Sequence, residues 1–138
     1  MADKISKVPY AHVTVADRAG QGAKVLAALR KAKINMHAWL GFPVGGGKAQ
    51  LDIVPESMPA LQRLAKREGW KLSKPKDCFR VTGKDRPGAV EATIGKLARK
   101  GVSVTAATAM HAGKGQYGMI LWVKPKSFAK AAKALGAR

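Results

Sequence analysis

The sequence predicts an α+β chain of two similar halves, each an antiparallel sheet covered by helices on one face. Three observations carry the prediction. Asp17-Arg18-Ala19-Gly20 recurs as Asp85-Arg86-Pro87-Gly88, an offset of 68 from Asp17 to Asp85. Each copy lies between a run of alternating polarity and a segment of helical spacing. Further on, Gly45-Gly46-Gly47 and Gly113-Lys114-Gly115 each mark a hairpin between two strand-like runs.

The first strands are Ala11-His12-Val13-Thr14-Val15 and Cys78-Phe79-Arg80-Val81-Thr82. In the helices that follow, Val25, Leu26, Leu29 and Ala32 share a face, as do Val90, Ile94, Leu97 and Ala98. Lys33-Ile34-Asn35-Met36 and Gly101-Val102-Ser103-Val104 open the next period-2 stretches, and third strands follow at 49–54 and 117–123. Pro55-Glu56-Ser57 and Pro125-Lys126-Ser127 stop those strands, each serine placed to cap a second helix, Met58 to Glu68 and Phe128 to Leu135. Pro55 and Pro125 are 70 apart, which predicts a second hairpin loop two residues longer than the first. Gly69-Trp70-Lys71-Leu72-Ser73 supplies a fourth strand, giving a ferredoxin-like βαββαβ unit over 1–75. The second repeat, 76–138, lacks that last strand, and the two join near 74–77. One edge of its first strand, around 79–82, therefore needs cover, from 4–8 or from a second chain, which favours dimerisation or strand exchange.

Composition narrows the function classes. Among 138 residues, 26 are Lys or Arg and 8 Asp or Glu, for a formal charge of +18, and 46% are hydrophobic. That balance is globular, and no apolar run is long enough to span a membrane. The first residues show no secretory signal, and a lone cysteine, Cys78, forms no internal disulfide framework. These features point to a cytoplasmic protein. His12, His37 and His111 are dispersed without metal-ligand spacing, and Asp52, Glu56, Glu68 and Glu91 suggest no paired acid–base geometry. Gly45-Gly46-Gly47-Lys48 lacks the frame of a phosphate loop. The expectation is no enzyme activity, no metal and no cofactor.

Lys84-Asp85-Arg86-Pro87-Gly88-Ala89-Val90 after a strand, followed by Leu97-Ala98-Arg99-Lys100-Gly101-Val102-Ser103-Val104, resembles the first βαβ unit of ACT domains. These are small ligand-sensing modules attached to enzymes of amino-acid metabolism. The first half is similar, with Ala19 in place of the proline, and the resemblance to a tandem ACT pair spans nearly the whole chain. It implies a regulatory protein holding a small amino acid or related carboxylate between repeats, conveying occupancy through their relative placement to a regulated enzyme; the uncovered edge adds the expectation of a homodimer. Carried over, it implies one site of Asp85, Pro87 and Gly88 with Asn35, and another of Asp17 and Gly20 with Ser103. The chemistry of the turn agrees: an aspartate after a strand can cap the next helix, proline suits its first turn, and helix-start amides favour a carboxylate.

The competing reading is a basic module binding RNA or single-stranded nucleic acid. Lys114-Gly115-Gln116-Tyr117-Gly118-Met119-Ile120-Leu121-Trp122 has a partial likeness to the third-strand motif of RNA-recognition modules. Gln116 stands where the first aromatic belongs, and Trp122 alone is left to stack a base. Alternation places Asn35, His37, Trp39 and His12 on the open sheet face. The charge is spread over both halves, 13 basic and 5 acidic residues in 1–75 and 13 and 3 in 76–138, mostly as lysine on helix faces. Nucleic acid is therefore possible but not favoured.

Overall fold

Hydrophobic spacing and turns produce the predicted order of elements, save the fourth strand of the first repeat, in a computed structural model, which describes residues 3–138. They are β1 (Lys4–Ala16), α1 (Gln21–Lys31), β2 (Met36–Gly45), β3 (Lys48–Pro55), α2 (Met58–Glu68), β4 (Lys76–Lys84), α3 (Ala89–Arg99), β5 (Ala106–Gly113), β6 (Gln116–Trp122) and α4 (Phe128–Leu135). The chain divides into two compact units. One is Pro9–Lys76; the other joins Asp77–Arg138 with residues 3–8. β1 thus gives its start to one unit and its remainder to the other.

In Pro9–Lys76 the strand order is β2-β3-β1, antiparallel throughout. Ala11 and Val13 of β1 lie opposite Ile53 and Leu51 of β3, and all four are buried. Val25 and Leu29, one turn apart on α1, and Leu61 and Leu64 of α2 close over them. Ser57 caps α2 as expected, its Oγ accepting from the Ala60 amide at 3.3 Å. The expected fourth strand at 69–73 does not form. Ser73 instead bonds twice to one residue: its amide donates to the His12 carbonyl at 2.9 Å, and its Oγ accepts the His12 amide at 2.9 Å. A side chain has replaced the backbone carbonyl of a ladder, and Pro75 has no N–H to continue one.

In the other unit the order is β1-β4-β6-β5, with β1 represented by its first residues. Phe79 and Val81 of β4 lie opposite Leu121 and Met119, and the Phe79 ring stacks on Phe128 of α4, with centroids 4.5 Å apart. Ala89, Thr93 and Leu97 form the buried stripe of α3, and Ile5 joins this core. The edge of β4 is therefore covered by the chain's own residues 4–8, the first of the two covers expected. It gives no support to dimerisation. Arg138 flanks the same segment, donating to the Ile5 carbonyl and accepting from the Lys7 amide, each at 3.2 Å.

The two-residue difference between the halves is not in the hairpin. Gly45 pairs with Lys48 and Gly113 with Gln116, so the loops are equally long and the offset of 68 persists to their ends. The extra residues follow β6, where Pro125–Ser127 form a 3-10 turn before α4. Ser127 consequently has helical dihedrals and makes no side-chain cap, unlike Ser57.

Candidate functional site

The two Asp-Arg-x-Gly turns have one backbone design. The amides of Asp17 and Asp85 donate to the carbonyls of Gly47 and Gly115, at 2.9 and 2.8 Å, tying each turn to its hairpin. Gln21 and Ala89 donate back to Arg18 and Arg86, and Lys24 and Ala92 make the first helical bonds to Gly20 and Gly88. Gly20 and Gly88 are the N-caps, with φ of 88° and 82°, in the left-handed region where glycine carries no Cβ strain. The expected aspartate cap is therefore absent. The cap position falls three residues beyond each aspartate, neither helix has a side-chain cap, and Pro87 precedes the helix rather than entering its first turn.

Relieved of capping, the Asp85 carboxylate faces His111 on β5, 3.7 Å from Nδ1, and ion-pairs with it when the imidazole is protonated. Arg86 is fixed from elsewhere. Its guanidinium donates to the Lys84 carbonyl at 2.7 Å and to the Asp3 carboxylate at 3.2 and 3.5 Å. Tyr117 Oη donates to the same carboxylate at 2.7 Å. Burial pushes the Asp3 carboxyl up, but the bonds from Tyr117 and Arg86, with the positive charge of Arg86, outweigh it and hold it below the usual carboxylate value. Burial, then the bond to Asp3, pushes the Tyr117 hydroxyl up to about 12. The bond to Asp3 raises the Arg86 pKa. Gly83 makes room for this arrangement, since a Cβ there would collide with the Asp3 carboxylate and lie 3.3 Å from the Tyr117 ring.

Between the turn, the start of α3 and β5 lies a cavity of about 270 Å³. Asp85, Arg86 and Gly88 line it with Glu91, His111 and Tyr117, while Val90, Ala109 and Met110 add apolar wall. Two carboxylates and two basic groups thus meet in one small concavity beside uncapped helix amides. The structure brings together Asp85 and Gly88 of the expected site, whereas Pro87 forms the turn without lining the cavity. Asn35 lines a different cavity, of about 390 Å³, at the end of α1 with Arg30 and Lys33. Asp17 and Gly20 form the exposed turn before α1, and Ser103 is exposed between α3 and β5. Arg86, Glu91, His111, Tyr117 and Asp3 were not singled out for this site by sequence. His111 and Tyr117 could have been found from the second hairpin, whose register puts them opposite each other.

Two aromatic expectations need correction. Trp122 is 6% exposed, so it offers no stacking face for a base. Trp39 packs against the core of the first unit, not on an open face. A bulge between Met36 and Ala38, opposite Pro55 and Val54, inserts one residue and turns Trp39 to the side of Ile53. Among the described residues no group of three His, Cys, Asp or Glu side chains could hold a metal ion. Nor is any helix among them long and apolar enough to cross a membrane.

No protein-family model matches the sequence, and no curated protein matches it. Solved structures do. A protein of Bacteroides thetaiotaomicron has a TM-score of 0.80 at 16% identity, covering 97% of this chain and 88% of its own. The ligand-free regulatory subunit of aspartate kinase from Thermus thermophilus has a TM-score of 0.61 at 16% identity, covering 98% and 93%. The corresponding subunit from Thermus flavus has 0.58 at 18% identity, covering 98% and 94%. These likenesses show a shared fold across nearly the full length of the chain.

Proposed function

We propose that this chain, whose fold is the tandem ACT type of aspartate kinase regulatory subunits, is a non-catalytic regulatory protein that senses a small amino acid. The observation that carries the reading is the cavity beside turn 85–88, with charges of both signs within about 270 Å³. Glu91 already places a carboxylate in the first turn of α3, where the helix dipole favours it. A plain anion therefore meets a negative neighbour, whereas a zwitterion can set its ammonium toward Asp85 and Glu91. Its carboxylate then lies toward His111, Arg86 and the uncapped amides of α3. Asn35, in its own cavity beside two basic side chains, is proposed as a further ligand contact. Occupancy acts on an enzyme partner by favouring the arrangement of the chain that binds the ligand better.

Thermal shift against the proteinogenic amino acids tests this, because a ligand that binds only the folded chain raises Tm by mass action. One amino acid should stabilise, its N-acetyl derivative should not, and Asp85→Asn should abolish the effect while leaving the fold intact, since Asp85 caps nothing. Asn35→Ala tests the further contact. No shift with any amino acid overturns the reading.

A further inference from the structure

The two turns share their backbone but not their surroundings. Register shows that residues 68 apart hold the same place in the two units: Ala49 lies between Val15 and Pro43, and Tyr117 between Gly83 and His111. Val90 and Ala109, which wall the cavity beside α3, thus correspond to Gly22 and Gly41. In the first unit both places lie against one indole. A Cβ on Gly22 would stand 3.8 Å from Cζ2 of Trp39, and one on Gly41 2.9 Å from its Cη2 and 3.4 Å from its Cζ2. The counterpart of Trp39 is Ala107, which is small and exposed.

We propose that Trp39 is a built-in occupant: its benzo ring fills, in the first repeat, the space that stands open beside α3 in the second. Glycine at 41 is then explained, because a side chain there would strike the ring, whereas a Cβ at 22 would only touch it. Trp39 Nε1 is buried and has no acceptor among the described residues, so the indole contributes volume and not recognition. Among the described residues one cavity of this kind is accordingly open, and its counterpart beyond the turn of Asp17 and Gly20 is taken up by the indole. Cutting back Trp39 opens a cryptic site for a flat apolar molecule of indole size. Trp39 is half-buried, so the space it leaves is a groove that reaches solvent, and a flat apolar guest lying in it would bury again the apolar surface that the indole covers. The inference rests on the equivalence of the two turns and not on the amino-acid reading.

Trp39→Ala and Trp39→Leu are compared with the wild-type chain by thermal unfolding, without and with millimolar indole for the first and benzene for the second. Both variants should melt several degrees lower. The probe should recover part of the loss in each variant and leave the wild type unchanged. If Trp39→Ala is unfolded, indole should restore cooperative unfolding, and the Leu variant with benzene reads the same space independently. A probe that stabilises neither variant, or stabilises the wild type equally, overturns the proposal. Neither result depends on whether an amino acid binds beside Asp85, so the two readings fail separately.

Discussion

Turn 17–20 and turn 85–88 share three backbone hydrogen bonds and a left-handed glycine, yet among the described residues only the second carries a constellation of charged side chains. The difference comes from outside the motif. Asp3 reaches Arg86 and Tyr117 from just before β1, His111 reaches Asp85 from β5, and the small residues of β5 leave space that Trp39 takes in the first unit. A repeated motif therefore fixes a scaffold, and residues distant in sequence decide what it can hold.

The largest expected effect tests whether the two cores are equivalent where the sites are not. Leu29 and Leu97, 68 apart, are both fully buried on the sheet-facing stripes of α1 and α3. Each Leu→Ala change should cost about 2–5 kcal/mol, the range for buried leucines that leave a cavity. Denaturant unfolding should give losses within about 1 kcal/mol of each other. A much smaller loss at Leu29 would mean that the first unit is more loosely packed and that the comparison does not hold at the level of the core.

Much of this scaffold was legible in the sequence, because its signals are local. The bounds of α2 and α4 followed from Pro-x-Ser stops and helical spacing, and both match. The repeat was visible as spacing alone. What escaped was set by single extra residues or by distance along the chain. One bulged residue at His37 reversed the face of Trp39. The two extra residues after β6 fall at a 3-10 turn, Pro125–Ser127, that no offset could assign to the right loop. The contacts of Asp3 with Arg86 and Tyr117 span 83 and 114 residues and leave no periodic trace.

A smaller effect separates the units at one position of β1 and β4. Val15 carries a side chain where its counterpart Gly83 cannot, because Asp3 and the Tyr117 ring occupy the space. Gly83→Ala should destabilise by about 1–3 kcal/mol, the usual cost of overpacking. It should also displace the Asp3 carboxylate and free Arg86. Wild-type stability at Gly83→Ala would mean that Asp3 is not held there.

The pH dependence of unfolding reads the same cluster with opposite signs at the two ends of the scale. The folded Asp3 carboxyl lies below its ordinary 3.8, so its contribution is present above that pH and lost as pH falls through the lowered value. Tyr117 is raised from 10.0 to about 12, so its contribution is present below pH 10 and lost as pH rises toward 12. Tyr117→Phe should abolish most of the alkaline loss. Asp3→Asn should flatten the acid loss and reduce the alkaline one, since the bond to Asp3 is the second cause of the tyrosine shift. An alkaline slope unchanged in Tyr117→Phe would place its origin elsewhere.

The smallest expected effect concerns backbone strain, which the repeats distribute differently. Lys33 ends α1 with φ at 57°, where its counterpart Gly101 has φ at 70°. A residue with a Cβ in that region costs roughly 1–2 kcal/mol relative to its relaxed conformation. Lys33→Gly removes that strain but adds conformational freedom to the unfolded chain, which takes back about 0.5–1 kcal/mol. The net gain should be several tenths of a kcal/mol, measurable as a small rise in denaturation midpoint at unchanged slope. Gly101→Lys, the reverse exchange, should lose a similar amount. The hairpins give an internal control with the roles reversed, for Lys114 has φ at 54° where Gly46 has 63°. Lys114→Gly should stabilise as Lys33→Gly does. If Lys33→Gly alone fails to stabilise, the lysine side chain itself must contribute at the cavity it lines with Arg30 and Asn35, and the strain is retained there for that contact.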